Sequence, residues 1–292
     1  MTTWLAALRQ LQDRAEPAVL VSVIVTRGSV PREHGARMVY SAHAQFDTIG
    51  GGHLEWRAAA IARDMLLMAP TPAPARVERI ALGPSLGQCC GGVVTLSFEL
   101  VDAGSARQLA SWEATERSRQ QALPQVVLFG AGHVGAALVR ILSTLPCRVL
   151  WVDEREDMFP AALAPQVTIE ATDVPNAVVD MADSGAYYLV MTHSHALDQQ
   201  LSERILGRDD IAWFGLIGSL TKRRQFEHRL QARGYTTAQL RRITCPIGID
   251  GIDGKEPASI ALAVAAQLMQ LWEQSARTDH RPRAASSLKE TS

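Results

Sequence analysis

Aromatic residues, cysteine and net charge are all scarce in this sequence. Only 5% of its 292 residues are aromatic and four are cysteine, two of them adjacent, which excludes the disulfide framework of a small secreted domain. A formal net charge of -1 removes any global bias toward nucleic acid. The short Lys222-Arg223-Arg224 run reads first as a solvated helix face. No apolar run is long enough to span a bilayer, and Met1-Thr2-Thr3-Trp4-Leu5 has neither the basic region nor the apolar core of a signal peptide. The expectation is a cytoplasmic protein that keeps its thiols reduced and partners neither membrane nor nucleic acid. With 47% hydrophobic and 20% charged residues, the chain has the composition of globular protein and the length for two cores.

The strongest local signal is Val126-Val127-Leu128-Phe129-Gly130-Ala131-Gly132-His133-Val134-Gly135, followed by the helical period of Ala136 to Leu142. A β-branched run that ends in G-x-G-x-x-G and turns at once into a helix is the dinucleotide-binding fingerprint in its proper context. Gly130 permits the tight turn, Gly132 lets backbone approach a phosphate, and Gly135 lets helix and strand pack closely. Unpaired N–H groups at the helix start, around His133, favour an anion. The next apolar run, Arg148 to Asp153, ends in an acid about twenty positions on, where a ribose-binding carboxylate would stand. Read alone, this pattern suggests an NAD-dependent oxidoreductase; a Rossmann-type domain with a vacant or reassigned site is equally a Rossmann-type domain.

Before the fingerprint come a short helix near residues 2–14, a strand over Ala18 to Thr26, and a glycine- and proline-punctuated loop that carries Arg27, Arg32 and Arg37 into a second strand. Such a loop either presents guanidinium forks to phosphate or carboxylate, or is simply a charged surface loop. Gly50-Gly51-Gly52 precede a helix from Leu54 to Met68, and three successive glycines suggest close approach of a ligand or another backbone. A second glycine-rich loop, Leu82 to Gly92, holds Cys89-Cys90-Gly91-Gly92 ahead of a strand from Val93 to Leu100. Vicinal cysteines rarely bridge each other and do not form a C-x-x-C zinc half-site, so packing, a soft metal contact or a redox-sensing thiol remain as readings. The polar stretch 103–124 is expected to be a partly helical linker.

After Asp153, strands over Val167 to Glu170, Tyr187 to Met191 and Ile211 to Ile217 alternate with helices over Pro175 to Ala182, Leu197 to Leu206 and Leu220 to Arg233. That alternation predicts a mainly parallel sheet whose ligands sit at the strand C-termini. Two loops fall there: Thr192-His193-Ser194-His195, which with Asp198 could be read as a metal site, and Gly218-Ser219, which could hold phosphate at a helix start. A last apolar helix spans Ala258 to Trp272. The fold class is therefore α/β: a smaller N-terminal α/β domain (1–102), a linker (103–124), a Rossmann-like domain (125–276) and a tail (277–292) expected to be disordered.

Taken in order, Thr26-Arg27-Gly28-Ser29-Val30-Pro31-Arg32, Gly35-Ala36-Arg37-Met38, Ile49-Gly50-Gly51-Gly52-His53-Leu54-Glu55, Gly87-Gln88-Cys89-Cys90-Gly91-Gly92, the Gly130 fingerprint, Thr192-His193, Gly218-Ser219 and Pro246-Ile247-Gly248 resemble the XdhC/CoxI family, the xanthine dehydrogenase accessory proteins. Several relatives have cysteine where this chain has His53. The resemblance implies a non-catalytic, cytoplasmic chaperone that binds molybdenum cofactor in its molybdopterin form. Such a protein shields the cofactor while a cysteine desulfurase helps to install a sulfido ligand, and delivers it to apo-xanthine dehydrogenase; a homo-oligomer is expected. The candidate cofactor-binding residues are Arg32, Arg37, Gly51, Gly52, Cys89, Cys90, Gly91, Gly130, Gly132, His133, Gly135, Asp153, His193 and Ser219, with Cys89 and Cys90 as candidate molybdenum contacts. NAD is the alternative cofactor.

Overall fold

The structure is a computed structural model that describes residues 3–68, 74–83 and 91–279. The chain divides into two compact units between Ser118 and Arg119. In the first, α1 (Trp4–Asp13) leads into β1 (Ala18–Arg27), β2 (Arg37–Ser41), β3 (Gln45–Asp47), α2 (Gly52–Met68), β4 (Arg76–Ala81), β5 (Val93–Val101) and α3 (Ala106–Gln121). The strands form one antiparallel sheet in the order β3-β2-β1-β5-β4. Alternate residues of β1 go to opposite faces, as a period of two requires. Val19, Val21 and Val23 meet Leu54, Ala58 and Met65 of α2, whereas Ala18 and Leu20 meet Leu8 and Leu11 of α1 and Leu109 of α3.

Much of the polar 103–124 stretch is thus the helix α3, which packs back on the N-terminal sheet. Leu109 is buried there and Trp112 meets Trp4 edge-on at 6.3 Å. Strands β3 and β4 carry no strong sequence signal; β4 reads Arg-Val-Glu-Arg-Ile-Ala, and its place at the sheet edge lets charged side chains remain in water.

The second unit contains β6 (Gln125–Phe129), α4 (His133–Leu142), β7 (Arg148–Asp153), β8 (Val167–Ala171), α5 (Pro175–Met181), β9 (Tyr187–Val190), α6 (His195–Leu206), β10 (Trp213–Leu216), α7 (Leu220–Ala232), α8 (Thr237–Leu240), β11 (Ile243–Thr244) and α9 (Pro257–Asp279). All six strands are parallel, in the order β11-β10-β9-β6-β7-β8. The chain builds outward from β6 in one direction and from β9 in the other, so the sheet has a topological switch point between them. The expected strand over Val126 to Phe129 is present.

Helices cover both faces, as a parallel sheet demands. Val126 and Leu128 pack with Leu138 and Leu142 of α4 and Val264 and Leu268 of α9, while Val127 and Phe129 pack with Val179 of α5, Leu201 of α6 and Phe226 of α7. Helix α9 continues past Trp272 through Asp279, into the stretch expected to be tail. No described helix is long and apolar enough to cross a membrane.

Candidate functional site

In the N-terminal unit the loop that follows β1 touches both other glycine-rich segments. A β-carbon on Gly92 would lie 2.3 Å from the carbonyl oxygen of Ser29 and 2.7 Å from that of Arg27, so only glycine lets these two chain segments meet. On the other side Pro31 packs on Gly50, where a β-carbon would come within 2.5 Å of its ring. Gly50, Gly51 and Gly52 all have positive φ, and Glu55 holds their turn: its Oε1 accepts from the Thr48 hydroxyl (2.5 Å) and from the N–H groups of Ile49 (3.0 Å) and Gly51 (2.8 Å). The glutamate of G-G-G-H-L-E is therefore a brace for the loop, a role that its spacing alone does not show.

Around this junction no atom of the described residues lies within 4 Å of where a β-carbon on Gly51 or Gly91 would stand. Arg27 and Arg32 are exposed, and their side chains make no hydrogen bond or ion pair among the described residues. The Arg37 guanidinium lies 4.5 Å from the centre of the Trp4 ring, a cation–π contact between α1 and β2. His53 stacks on the exposed Trp56 at 5.0 Å. Cys89 and Cys90 lie outside the described residues. The described cysteines, Cys147 and Cys245, are buried, and burial pushes both thiols up, Cys147 to about 12, so neither is a ready nucleophile at neutral pH.

In the Rossmann unit the strand C-termini carry a small cleft lined by Gly130, Asp153, Glu154, Thr172, Asp173 and His193, over a floor that includes Phe129 and Leu201. Gly130 (φ +117°) backs onto the Met191 carbonyl, and Gly135 is packed against the Gly130 carbonyl, which also accepts from the Trp151 indole at 3.0 Å. Gly132 is the N-cap of α4 with open space around it, and His133 is exposed at the first turn. Gly130, Asp153 and His193 thus share one cleft, Gly132 and His133 stand at the helix start beside Gly130, and Gly135 is a packing residue. Ser219 caps α7 by accepting from the Lys222 N–H at 3.2 Å.

Asp153 is at the end of β7 as expected, but its carboxylate is committed. Oδ1 accepts from the Arg155 N–H (3.1 Å) and Nε (2.8 Å); Oδ2 accepts from the Ala131 N–H (2.6 Å) and from Arg155 Nη2 (2.9 Å). Burial alone would raise its pKa, yet these hydrogen bonds outweigh burial and hold the carboxyl at about 2. Because the folded pKa is depressed, the network's contribution to stability is complete above the ordinary carboxylate range and is lost as pH falls toward 2. The Asp153 carboxyl resonance should titrate with a midpoint about 2 in an NMR pH series; a midpoint at the ordinary value of 3.8 would contradict this bonding.

The two imidazoles of the Thr192 loop diverge. His193 is 3.6 Å from Glu154, and His195 is 4.0 Å from Asp198. Among the described residues no group of three or more His, Cys, Asp or Glu is placed to hold a metal ion.

Two family models match the sequence: one described as the XdhC and CoxI family, over residues 11–73, and one described as the XdhC Rossmann domain, over residues 126–268. The chain belongs to the XdhC family. It is 25% identical over 265 residues to the uncharacterized protein YqeB of Escherichia coli (strain K12), across 90% of this chain and 45% of that protein; it therefore spans a little under half of that relative's length. Its fold is similar to a crystal structure from Bacillus halodurans described as a xanthine dehydrogenase, with a TM-score of 0.74 and 19% identity, over 97% of this chain and 98% of the other.

In this XdhC-family chain the residues that sequence reading undervalued are Asp198 and Lys222. Lys222 is turned inward rather than lying on a solvated face. Its side chain is 16% exposed, and its ammonium donates to Asp198 Oδ2 (2.8 Å) and to the Ile217 carbonyl (2.9 Å). Asp198 is fully buried and also accepts from the Thr192 N–H (3.1 Å) and hydroxyl (2.8 Å). The pair ties the β9–α6 loop to the β10–α7 loop. An acid in the first turn of one helix and a lysine in the first turn of the next was the available signal, since both turns face the same sheet edge.

Proposed function

We propose that the protein is a maturation factor for xanthine dehydrogenase: it binds molybdenum cofactor, shields it while a cysteine desulfurase supplies sulfur, and passes it to the apo-enzyme. Membership of the XdhC family supports the maturation role. The observation that carries the cofactor reading is the junction of Gly28, Pro31, Gly50 and Gly92, where the loop after β1, with exposed Arg27 and Arg32, meets the Gly50 turn and the Gly91-Gly92 pair that follows Cys89-Cys90 in the sequence.

The residues present fit such a cofactor. A dithiolene-bound metal with a phosphate and a hydrogen-bonding pterin asks for backbone that can come close, guanidinium groups for the anion, and soft sulfur near the metal. Gly51 and Gly91 leave room for backbone approach among the described residues, Arg27 and Arg32 have their forks free of described partners, and Cys89 and Cys90 would supply the soft sulfur. When bound, the cofactor would bring a metal centre able to accept a terminal sulfido ligand. The chain's own part is to bind, orient and exclude water.

The experiment mixes purified protein with molybdenum cofactor released from a mature enzyme, and separately with NAD, and measures which co-elutes. Cys89→Ser and Cys90→Ser are expected to keep the wild-type melting temperature while bound molybdenum and activation of apo-dehydrogenase fall. Unchanged molybdenum retention and unchanged activation in both variants would refute the assignment. A fall in melting temperature with retention preserved would make the cysteines packing residues.

A further inference from the structure

Asp153, the acid at the end of the second strand of the Rossmann unit, is engaged by a side chain of the protein itself. In a dinucleotide site the acid at the end of the second strand accepts hydrogen bonds from the adenosine ribose hydroxyls. A carboxylate offers about four acceptor positions. At Asp153 all are used, two by backbone N–H groups of Ala131 and Arg155 and two by the Arg155 guanidinium. The guanidinium engages it as a fork, Nε to one oxygen at 2.8 Å and Nη2 to the other at 2.9 Å. Two donors side by side on one carboxylate is also how a vicinal ribose diol would engage it.

With Arg155 in place the Asp153 side chain is only 4% exposed, which leaves little of the carboxylate for a diol. Arg155 is held in turn by sequence distance: two residues past the end of β7, its backbone N–H and its side chain fold onto the same carboxylate. Ala131 sits in the glycine turn, so its N–H fixes the carboxylate against the fingerprint loop and leaves it no freedom to rotate toward a ligand.

We propose that Arg155 is a specificity-determining residue that occupies the diol-binding positions of Asp153. The Rossmann domain thereby rejects NAD(H) and accepts only ligands that need no ribose diol at the end of β7. The inference concerns the C-terminal unit alone and stands whether or not the N-terminal loops hold molybdenum cofactor.

The test measures binding of NADH and of NADPH to the full-length protein by nicotinamide fluorescence, in wild type, Arg155→Ala and Arg155→Met. The methionine variant keeps much of the apolar stem, so it decides the matter should the alanine variant fold poorly; melting temperatures accompany each titration. Wild type should show no saturable NADH binding. Both variants should bind NADH at least about tenfold more tightly than wild type, as two freed charge-assisted acceptor positions allow. NADPH, whose 2′-phosphate removes one hydroxyl and is repelled by the freed carboxylate, should gain nothing. Tight NADH binding by wild type would overturn the proposal, as would variants that gain nothing. An equal gain for both nucleotides would also overturn it, because the arginine would then be blocking space rather than acceptors.

Discussion

Gly135→Ala should destabilise the Rossmann unit by about 3 kcal/mol or more, the range of substitutions that force a backbone shift in a packed core. A methyl there would stand 2.1 Å from the Gly130 carbonyl oxygen and 3.6 Å from Trp151 Nε1. Neither is a flexible chain end. The carbonyl is fixed by the turn at Gly130, which itself backs onto the Met191 carbonyl, and the indole is the fully buried donor to that same oxygen. Relieving the overlap means opening the strand–helix turn and leaving a buried Trp N–H unpaired. Gly132→Ala is the control: its φ is -71°, nothing lies within 4 Å, and the helix loses no side-chain cap that it had. That variant should stay within about 1 kcal/mol of wild type. Urea unfolding followed by circular dichroism compares the two; equal midpoints would show that the fingerprint glycines are not divided between packing and approach as described.

Asp198→Ala should cost about 3–5 kcal/mol, since it leaves a mostly buried ammonium without its counter-charge, held only by the Ile217 carbonyl, and the Thr192 N–H without its acceptor. Lys222→Met should cost less, because Asp198 keeps both Thr192 bonds and the methionine refills the space beside Phe226 and Gly218. The double variant should fall well short of the sum of the singles, the signature of direct coupling. Thermal melts of the three variants and wild type complete the cycle. Additive losses would mean that the two side chains do not depend on each other, and the salt bridge would then contribute nothing to the joining of the two loops.

Part of the candidate site was legible from local pattern. The turn at Gly130 and the packing of Gly135 follow from strand, glycines and helix in immediate succession. The close packing at Gly50, against Pro31, was foreshadowed by three successive glycines before a helix. The assignments that needed a partner far along the chain were not legible. Arg37 reads as one of three loop arginines, and only the fold shows that Trp4 arrives from α1 to stack against its guanidinium. His193 and His195, two residues apart, looked capable of sharing a metal; the start of α6 at His195 sends them to different carboxylates.

The sequence by itself determined the two-unit α/β organisation, the strand–turn–helix at residues 126–142, the parallel run of strands after it and the family. Those depend on hydrophobic period and on glycine placement, which act over a few residues and survive any packing around them. Only the tertiary structure decided which polar groups are still free to bind. Asp153 stands where a ribose anchor belongs, yet Ala131 and Arg155 exhaust its acceptors; Lys222 sits in a basic run, yet Asp198 draws it inward. A carboxylate's hydrogen-bonding capacity is finite and is allocated by whatever the fold brings within about 3 Å, and that allocation is a property of neighbours in space rather than in sequence.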